Sequence, residues 1–262
     1  MAHLRLCAPL SDAFRRHSDA LLPLVAAVGF KAPSDERFGG KTQFLECSTS
    51  IADSQLPERL ADAGYLAALA SGRFHSFACD LGPAWSEYGL AQSAAGFPRY
   101  VPVSGRLDEA TYLRQAKRNV AFLRGRFGGS LKIENLNYFQ TGAYDMVCEP
   151  SFITRIVEDL GLELLFDVSH AMISAANLGV PIVSYVDALP LGRATELHVS
   201  ATRRINGVIE DAHDMPGAHE YVLVEHVGRT PLDRFLTIEH YRDGPALVAE
   251  YHRLVAANQG SA

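Results

Sequence analysis

The chain has 262 residues, of which 48% are hydrophobic and 21% are charged, and its formal net charge at pH 7 is −6. This composition is typical of a folded protein with a large core, and it excludes a disordered or fibrous chain. The negative charge argues against a general nucleic-acid binder, which normally carries a basic face.

Eight β-like runs follow one another along the chain. They are Leu4–Ala8, Thr42–Cys47, Phe74–Asp80, Leu131–Asn135, Leu162–Val168, Ala194–Val199, Gly207–Asp211 and Phe235–Glu239. Several are nearly continuous apolar runs, as expected for strands that are buried on both faces of a parallel sheet.

Segments with a helical period separate these strands. One helix is predicted to begin near the N-cap residue Asp108, and another follows Glu149 and ends at Gly161. Further helices are predicted over Ala13–Val28, Pro57–Ala70 and Pro245–Ala257, and loops over Phe30–Lys41 and Gly82–Arg99. Because strand and helix alternate, and because an eight-fold α/β barrel takes about 250 residues, we predict one (β/α)8 TIM barrel over residues 1–262.

The chain shows no sign of a membrane segment. No apolar run approaches the roughly 20 residues that a membrane span needs, and the first residues lack the pattern of a signal peptide. We therefore expect a cytoplasmic protein without membrane contact. The four cysteines show no Cys-x-x-Cys spacing, which favours reduced thiols in the core or near a site over disulfides or zinc ligands.

Acidic and imidazole side chains stand at the ends of the later strands. In a parallel barrel, the carboxyl ends of the strands converge on one face, so residues far apart in sequence meet there. An isolated buried carboxylate is costly unless a cation compensates it. These residues therefore predict a metal site formed by Glu134, Asp167, His170, His198, Asp211, His213 and Glu239.

Four more residues have two possible roles each. Glu46 and Asp80 follow earlier apolar runs and are either metal ligands or pocket residues. Arg203 and Arg204 follow His198 and either bind an anionic substrate or lie in a solvated loop. Counting Glu46 and Asp80, the acids and imidazoles exceed the needs of one octahedral ion, so two or three metals are expected, and oxygen with nitrogen donors suits iron, manganese or zinc.

The order and spacing of these motifs resemble a known family. The segments Ile133-Glu134-Asn135, Leu164 to His170, Glu196 to His198, Asp211-x-His213 and Ile238-Glu239 resemble the multinuclear non-haem iron-dependent oxidative enzymes. This is the family of the methanobactin-biosynthesis oxygenase and of the peptide-modifying enzyme of 3-thiaglutamate biosynthesis. The similarity is strongest over residues 74–240.

The resemblance implies a xylose-isomerase-like TIM barrel with two or three irons (Fe2+/Fe3+). Such enzymes use O₂ to oxidise peptides that often contain cysteine, frequently with a small partner protein that presents the peptide. His170 stands where members have Asn or His. Glu134, Asp167 and His198 are the catalytic candidates. Residues that match family metal ligands are Glu134, Asp167, His198, Asp211, His213 and Glu239.

The chain departs from the family pattern at two positions. The family has histidines at the ends of strands two and three, where Glu46 and Asp80 stand in this sequence. Carboxylates still bind iron, but they lower its potential and can change the number of ions held. A diverged member that acts on a small molecule is therefore an open alternative.

Two other function classes remain open. A sugar isomerase or epimerase, or a metal-dependent phosphodiesterase, of the xylose-isomerase-like barrels also gathers Glu, Asp and His at strand ends and would use Mn2+ or Zn2+. The absence of an obvious catalytic lysine weakens the isomerase hypothesis. A catalytically silent metal-binding or scaffold protein is the third class.

Overall fold

The structure is a computed structural model and describes residues 4–93 and 96–259. Strands are numbered in chain order. The strands in these residues are β1 Leu4–Pro9, β2 Ala27–Phe30, β3 Thr42–Ser50, β4 Ser76–Asp80, β5 Trp85–Gln92, β6 Pro98–Arg106, β7 Ser130–Glu134, β8 Glu163–Asp167, β9 Ala194–Val199, β10 Ala201–Ile205, β11 Val208–Asp214 and β12 Arg234–Ile238.

Eight of these strands close into a parallel barrel. Their order around the barrel is β1-β12-β9-β8-β7-β4-β3-β2, and β2 closes back onto β1. The predicted TIM barrel is therefore confirmed. Because all eight strands run in one direction, their carboxyl ends share one rim, which is where the sequence predicts the metal site.

The helices lie mostly between successive barrel strands. Asp108 caps α5, since its Oδ1 accepts from Thr111 N at 2.7 Å, and Gly161 ends α6 in the left-handed conformation with φ 60°. The helices are α1 Asp12–Arg16, α2 Ser18–Leu21, α3 Leu56–Asp62, α4 Tyr65–Ala70, α5 Glu109–Arg124, α6 Pro150–Leu160, α7 Val168–Leu178, α8 Ile182–Asp187, α9 Ala218–Gly228 and α10 Gly244–Gln259.

The prediction of one helix over Ala13–Val28 was wrong. The segment forms α1, α2 and a 3-10 turn over Leu22–Leu24, and its last residues begin β2, the second barrel strand. Pro23 interrupts the helical pattern because it has no backbone N–H to donate. Glu46 and Asp80 consequently lie on the third and fourth barrel strands and not on the second and third.

Two predictions concerning hairpins were also wrong. The predicted seventh strand, Gly207–Asp211, overlaps β11, but β11 pairs antiparallel with β10 outside the barrel. Asn206 and Gly207 form the turn with φ values of 52° and 84°, and Asn-Gly between two apolar runs is the hairpin signal that was missed. The predicted loop Gly82–Arg99 contains β5 and the start of β6, which form a second antiparallel hairpin.

The inside of the barrel holds a small apolar cluster and a buried ion pair. Cys7, Ala27 and Phe44 pack together with Phe235, while most of the remaining buried apolar residues form the larger core. Lys132 Nζ lies 4.7 Å from the centroid of the Phe44 ring, so Lys132 also points into the barrel. Period-two alternation along β7 then places Glu134 on the inner face as well.

The four cysteines are free and buried, as the sequence predicts. Cys47 Sγ and Cys79 Sγ, on the adjacent strands β3 and β4, are 3.6 Å apart. Among the described residues, none of the helices is both long enough and apolar enough for a membrane span.

Candidate metal centre

Asp167 is held rigidly at the junction of β8 and α7. It is the N-cap of α7, because its Oδ1 accepts from His170 N at 2.7 Å. Asn135 fixes the backbone of Asp167 in both directions, since Asn135 Nδ2 donates to Asp167 O at 3.0 Å and Asn135 Oδ1 accepts from Asp167 N at 2.8 Å. The other carboxylate oxygen, Oδ2, is buried and has no hydrogen-bond partner. It is therefore free to bind a cation.

His198 is oriented by a chain of charged groups inside the barrel. Its Nε2 lies 3.4 Å from Glu196 Oε1, and Glu196 Oε2 accepts from Lys132 Nζ at 2.9 Å. A carboxylate on one ring nitrogen fixes the tautomer and leaves the other nitrogen as the ligand atom. That atom, Nδ1, is buried without a hydrogen bond although Glu239 Oε1 is 3.1 Å away. Two atoms that both carry a lone pair repel each other at this separation unless a proton or a metal ion lies between them.

His170 and His213 approach the same carboxylate from two sides. The Nε2 atoms of both rings lie 3.3 Å from Asp211 Oδ2. His170 Nδ1 is hydrogen-bonded to Asn135 O at 2.7 Å, which leaves Nε2 as the metal-facing nitrogen. His213 has φ 46°, and its Nε2 is also 3.4 Å from Glu239 Oε2. The β10–β11 hairpin, although outside the barrel, thus returns two ligand-type residues to the rim.

Lys31 lies in the site, although it is not among the site residues predicted from the sequence. Its Nζ lies 2.9 Å from Glu46 Oε1 and forms an ion pair with Glu239 Oε1. Lys31 directly follows β2, in which Ala27 belongs to the inner cluster. The alternation Ala27, Gly29, Lys31 therefore points inward, and this is the signal that identifies the residue once β2 is recognised as a strand.

The ligand-type atoms form two overlapping groups. In each group, one ligand atom from each residue lies within 4.8 Å of the others. One group is Glu46, His198 and Glu239, and the other is Glu134, Asp167 and His198. Glu46 Oε2, Asp167 Oδ2 and His198 Nδ1 are buried atoms without a hydrogen-bond partner. Such atoms carry a desolvation cost that a bound divalent cation would remove, so the residues fit a metal with oxygen and imidazole ligands.

Asp80 lines a cavity next to the ligand groups. It belongs to neither ligand group and lines a cavity of about 360 Å³, together with His170, Asp211 and His213. The hairpins β5–β6 and β10–β11 contribute Tyr100 and Glu210 to the same cavity. The role of Asp80 as a metal ligand or a pocket residue stays a prediction.

The proton affinities reflect an excess of buried carboxylates. Burial raises the pKa values of Glu134 and Asp167, and it raises that of Asp80 to about 7. Burial alone would lower the pKa of His198, but the neighbouring Glu239 outweighs it and raises that pKa. Without a cation, the site therefore holds protons at neutral pH that a metal would displace.

Arg203 and Arg204 lie away from this cavity. Arg203, with 58% of its side chain exposed, forms an ion pair with Asp214, and Arg204 donates to Gly207 O in the β10–β11 turn. Neither arginine is among the residues that line the cavity beside His170 and Asp211. Their assignment to substrate binding stays a prediction.

The chain is similar to known proteins of one family. The profile of a family described as "RiPP precursor modification enzyme MbnB/TglH/ChrH" matches residues 101–256, which is more than half of the chain. The chain belongs to this family. The resemblance drawn from the strand-end motifs is thereby confirmed.

Two curated relatives agree with this assignment. A "UPF0276 protein" of Caulobacter sp. (strain K31) is 30% identical over 205 residues, which cover 72% of this chain and 69% of that relative. A "UPF0276 protein" of Caulobacter vibrioides (strain NA1000 / CB15N) is 28% identical over 98 residues, or 37% of this chain. In that comparison the chain spans only 35% of the relative's length.

Solved structures share the fold at low sequence identity. A structure of L-ribulose 3-epimerase has a TM-score of 0.59 and 13% identity, and the match covers 99% of this chain and 95% of that one. Endonuclease IV from Thermus thermophilus has a TM-score of 0.59 and 16% identity, with coverage of 98% and 100%. The fold is thus a xylose-isomerase-like TIM barrel.

Proposed function

We propose that the protein is a non-haem iron-dependent oxidoreductase that uses O₂ to modify a peptide in natural-product biosynthesis. The observation that carries the proposal is the convergence of unpartnered ligand atoms, Asp167 Oδ2 and His198 Nδ1 above all, at the carboxyl rim of the barrel. The family description, which names precursor modification, supports the class of substrate.

The protein's own contribution is to hold and orient the ligands. Glu134, Asp167 and His198 would bind the ion, and His170, Asp211, His213 and Glu239 would complete or extend its coordination. Bound iron supplies redox chemistry with O₂ that carboxylates and imidazoles lack. Glu196 and Lys132 keep His198 in one tautomer, so the ligand geometry is set before the metal arrives.

The cavity beside the ligands suits a side chain that is presented on an extended segment. Its volume of about 360 Å³ lies at the small end of the range for small-molecule sites, which is about 300–1,000 Å³. Leu90, Phe97, Tyr100 and Phe139 provide apolar walls, while His170 and Asp211 face the cavity from the metal side. A cysteine-containing peptide fits this combination, and a small partner protein that presents the peptide would leave only the reacting residue inside.

Two measurements test the proposal: elemental analysis for the bound metal, and an oxygen electrode for O₂ consumption. Protein purified without added metal should contain iron, and after reduction it should consume O₂ faster when a cysteine-containing peptide is added. Asp167→Asn is the matched control, because the amide oxygen can still cap α7 while the charge at Oδ2 is lost. If the purified protein contains zinc or manganese without iron and consumes no O₂, the oxidative assignment is contradicted.

A sugar isomerase or epimerase is the second candidate. The sequence shows no obvious catalytic lysine, but in the structure Lys31 lies at the rim beside Glu46 and Glu239. A lysine beside a metal could move a proton next to a polarised carbonyl. Conversion of ketoses by the manganese-loaded protein, abolished in Lys31→Met and accompanied by no O₂ consumption, would establish this alternative.

A further inference from the structure

Lys31 contacts one of the two ligand groups and not the other. Its Nζ lies 2.9 Å from Glu46 Oε1 and pairs with Glu239 Oε1, so it touches two of the three members of the Glu46–His198–Glu239 group. Glu239 Oε1 also accepts from the Tyr241 hydroxyl at 2.9 Å. One of the two Glu239 oxygens is therefore already bonded to an ammonium and a hydroxyl.

The second group holds no such cation. Within residues 4–93 and 96–259, neither Glu134 nor Asp167 forms an ion pair with a lysine or an arginine, and Glu134 Oε1 lies 3.6 Å from His170 Nδ1. Asp167 Oδ2 and His198 Nδ1 also remain without hydrogen bonds. The two groups share His198, and only the group that contains Glu134 has no lysine or arginine bonded to its carboxylates within the described residues.

We propose that the ammonium group of Lys31 takes the place of one divalent ion between Glu46 and Glu239. This inference rests on the proposed function. The protein then holds its metal in the Glu134–Asp167–His198 group. Like charges repel strongly at short range in a partly buried site, so an ammonium bonded to Glu239 disfavours a divalent ion on the same carboxylate. The protein would bind fewer ions than its number of acids and imidazoles suggests.

Removal of the Lys31 charge would make Glu46 available as a ligand for a second metal ion. Its Oε1 accepts from Lys31, while its Oε2 is buried without a partner. Replacement of Lys31 by methionine keeps an apolar stem of similar length and removes the charge. Glu46 and Glu239 would then both be available, and with His198 they form a complete three-residue ligand group.

Metal stoichiometry tests this inference without any measurement of turnover. Wild-type protein, Lys31→Met and the exposed-lysine control Lys117→Met are stripped with chelator, saturated with Mn2+ alone, desalted and analysed for manganese per chain. Lys31→Met should hold about one more equivalent than the wild type, because removal of the ammonium frees a second cation position. Its electron paramagnetic resonance spectrum should show coupling between neighbouring Mn2+ ions, and Lys117→Met should match the wild type.

Variants of Glu46 separate the possible explanations. Glu46→Gln in the wild-type background should leave the manganese content unchanged, whereas in Lys31→Met it should remove the additional ion. If Lys31→Met and wild type bind the same amount, or if Glu46→Gln alone lowers the wild-type content, Lys31 does not replace an ion. A wild type that binds no metal at all would instead refute the proposed metal-dependent function.

Discussion

The middle of the barrel interior and its carboxyl rim use the same residue types differently: buried charges are paired in the middle and partly unpaired at the rim. Toward the middle, Lys132 and Glu196 are almost fully buried, with 2% and 3% of their side chains exposed, and both Glu196 oxygens have a partner. At the carboxyl rim, only two of six acids, Glu46 and Glu239, pair with a lysine within the described residues, and Asp167 Oδ2 and Glu46 Oε2 have no hydrogen-bond partner. The lower pair is balanced by the protein itself, while the rim carries surplus negative charge that calls for a cation from outside.

The pKa values follow this difference. Burial alone would raise the pKa of Glu196, but Lys132 and His198 overcome that effect and lower it to about 2. At the rim, burial raises the pKa values of Glu134 and Asp167, and no lysine contacts either carboxylate in the part of the chain that is described. Identical chemistry therefore yields a structural ion pair at one level and a metal-binding rim at the next.

The largest expected effect is the loss of metal from the rim. His198→Ala or Asp167→Asn should weaken metal binding by more than about 100-fold, since removal of an outer-shell partner alone typically costs 10–100-fold. Circular dichroism should show an intact barrel, because Asn at position 167 can still cap α7. Measurement is by metal content after desalting. Retained metal in both variants would show that these residues are not ligands.

Stability should distinguish the two lysines. Lys132→Met leaves Glu196 charged and buried, so we expect the free energy of unfolding to fall by about 3–5 kcal/mol. Lys31 is 38% exposed, and burial raises the pKa of its partner Glu46, which can take up a proton, so Lys31→Met should cost less than Lys132→Met. Urea denaturation in the presence of chelator measures both. Equal costs would remove the contrast between the two levels of the barrel.

The stability of the metal-free protein should depend on pH through Asp80. Burial raises its pKa from 3.8 to about 7, with repulsion from Glu46 adding to the shift and His170 opposing it. The folded state thus holds this proton more tightly than the unfolded state. The resulting stability is fully present below about pH 4 and is lost as the pH rises through about 7. Asp80→Asn should flatten this decline in melting temperature between pH 5 and pH 8, and an unchanged slope would refute the assignment.

The smallest effect is expected at the outer hairpin. Arg203 pairs with Asp214 at an exposed position, and exposed ion pairs contribute about 0–1 kcal/mol. Arg203→Ala should therefore leave both metal content and unfolding free energy nearly unchanged. The predicted role of Arg203 in substrate binding is tested by kinetics with the peptide substrate. If Arg203 binds the substrate, Arg203→Ala should have a higher KM at constant kcat. A loss of metal in this variant would show that the hairpin contributes to the rim.

The buried acid at the end of β8 and the ends of two helices could be predicted from the sequence. The run Leu164-Leu-Phe-Asp167 is too apolar for a surface strand, so its terminal acid predicts a buried carboxylate at a barrel rim. Asp108 and Gly161 mark helix ends through capping geometry that depends only on local residues. By contrast, Ala27–Phe30 has only four residues and follows a helical pattern, and so short an apolar run does not separate strand from helix.

The sequence by itself determined the alternation of strand and helix, the acids and imidazoles at strand ends, and the family to which they belong. These follow from local periodicity and from residue types that carry a cost when buried without a partner. Only the tertiary structure decided that the β10–β11 hairpin lies outside the barrel and that Lys31 meets Glu46 and Glu239. A lysine after a short strand resembles a solvated loop residue, and its partners become apparent only when closure of the barrel brings distant segments within a few ångströms.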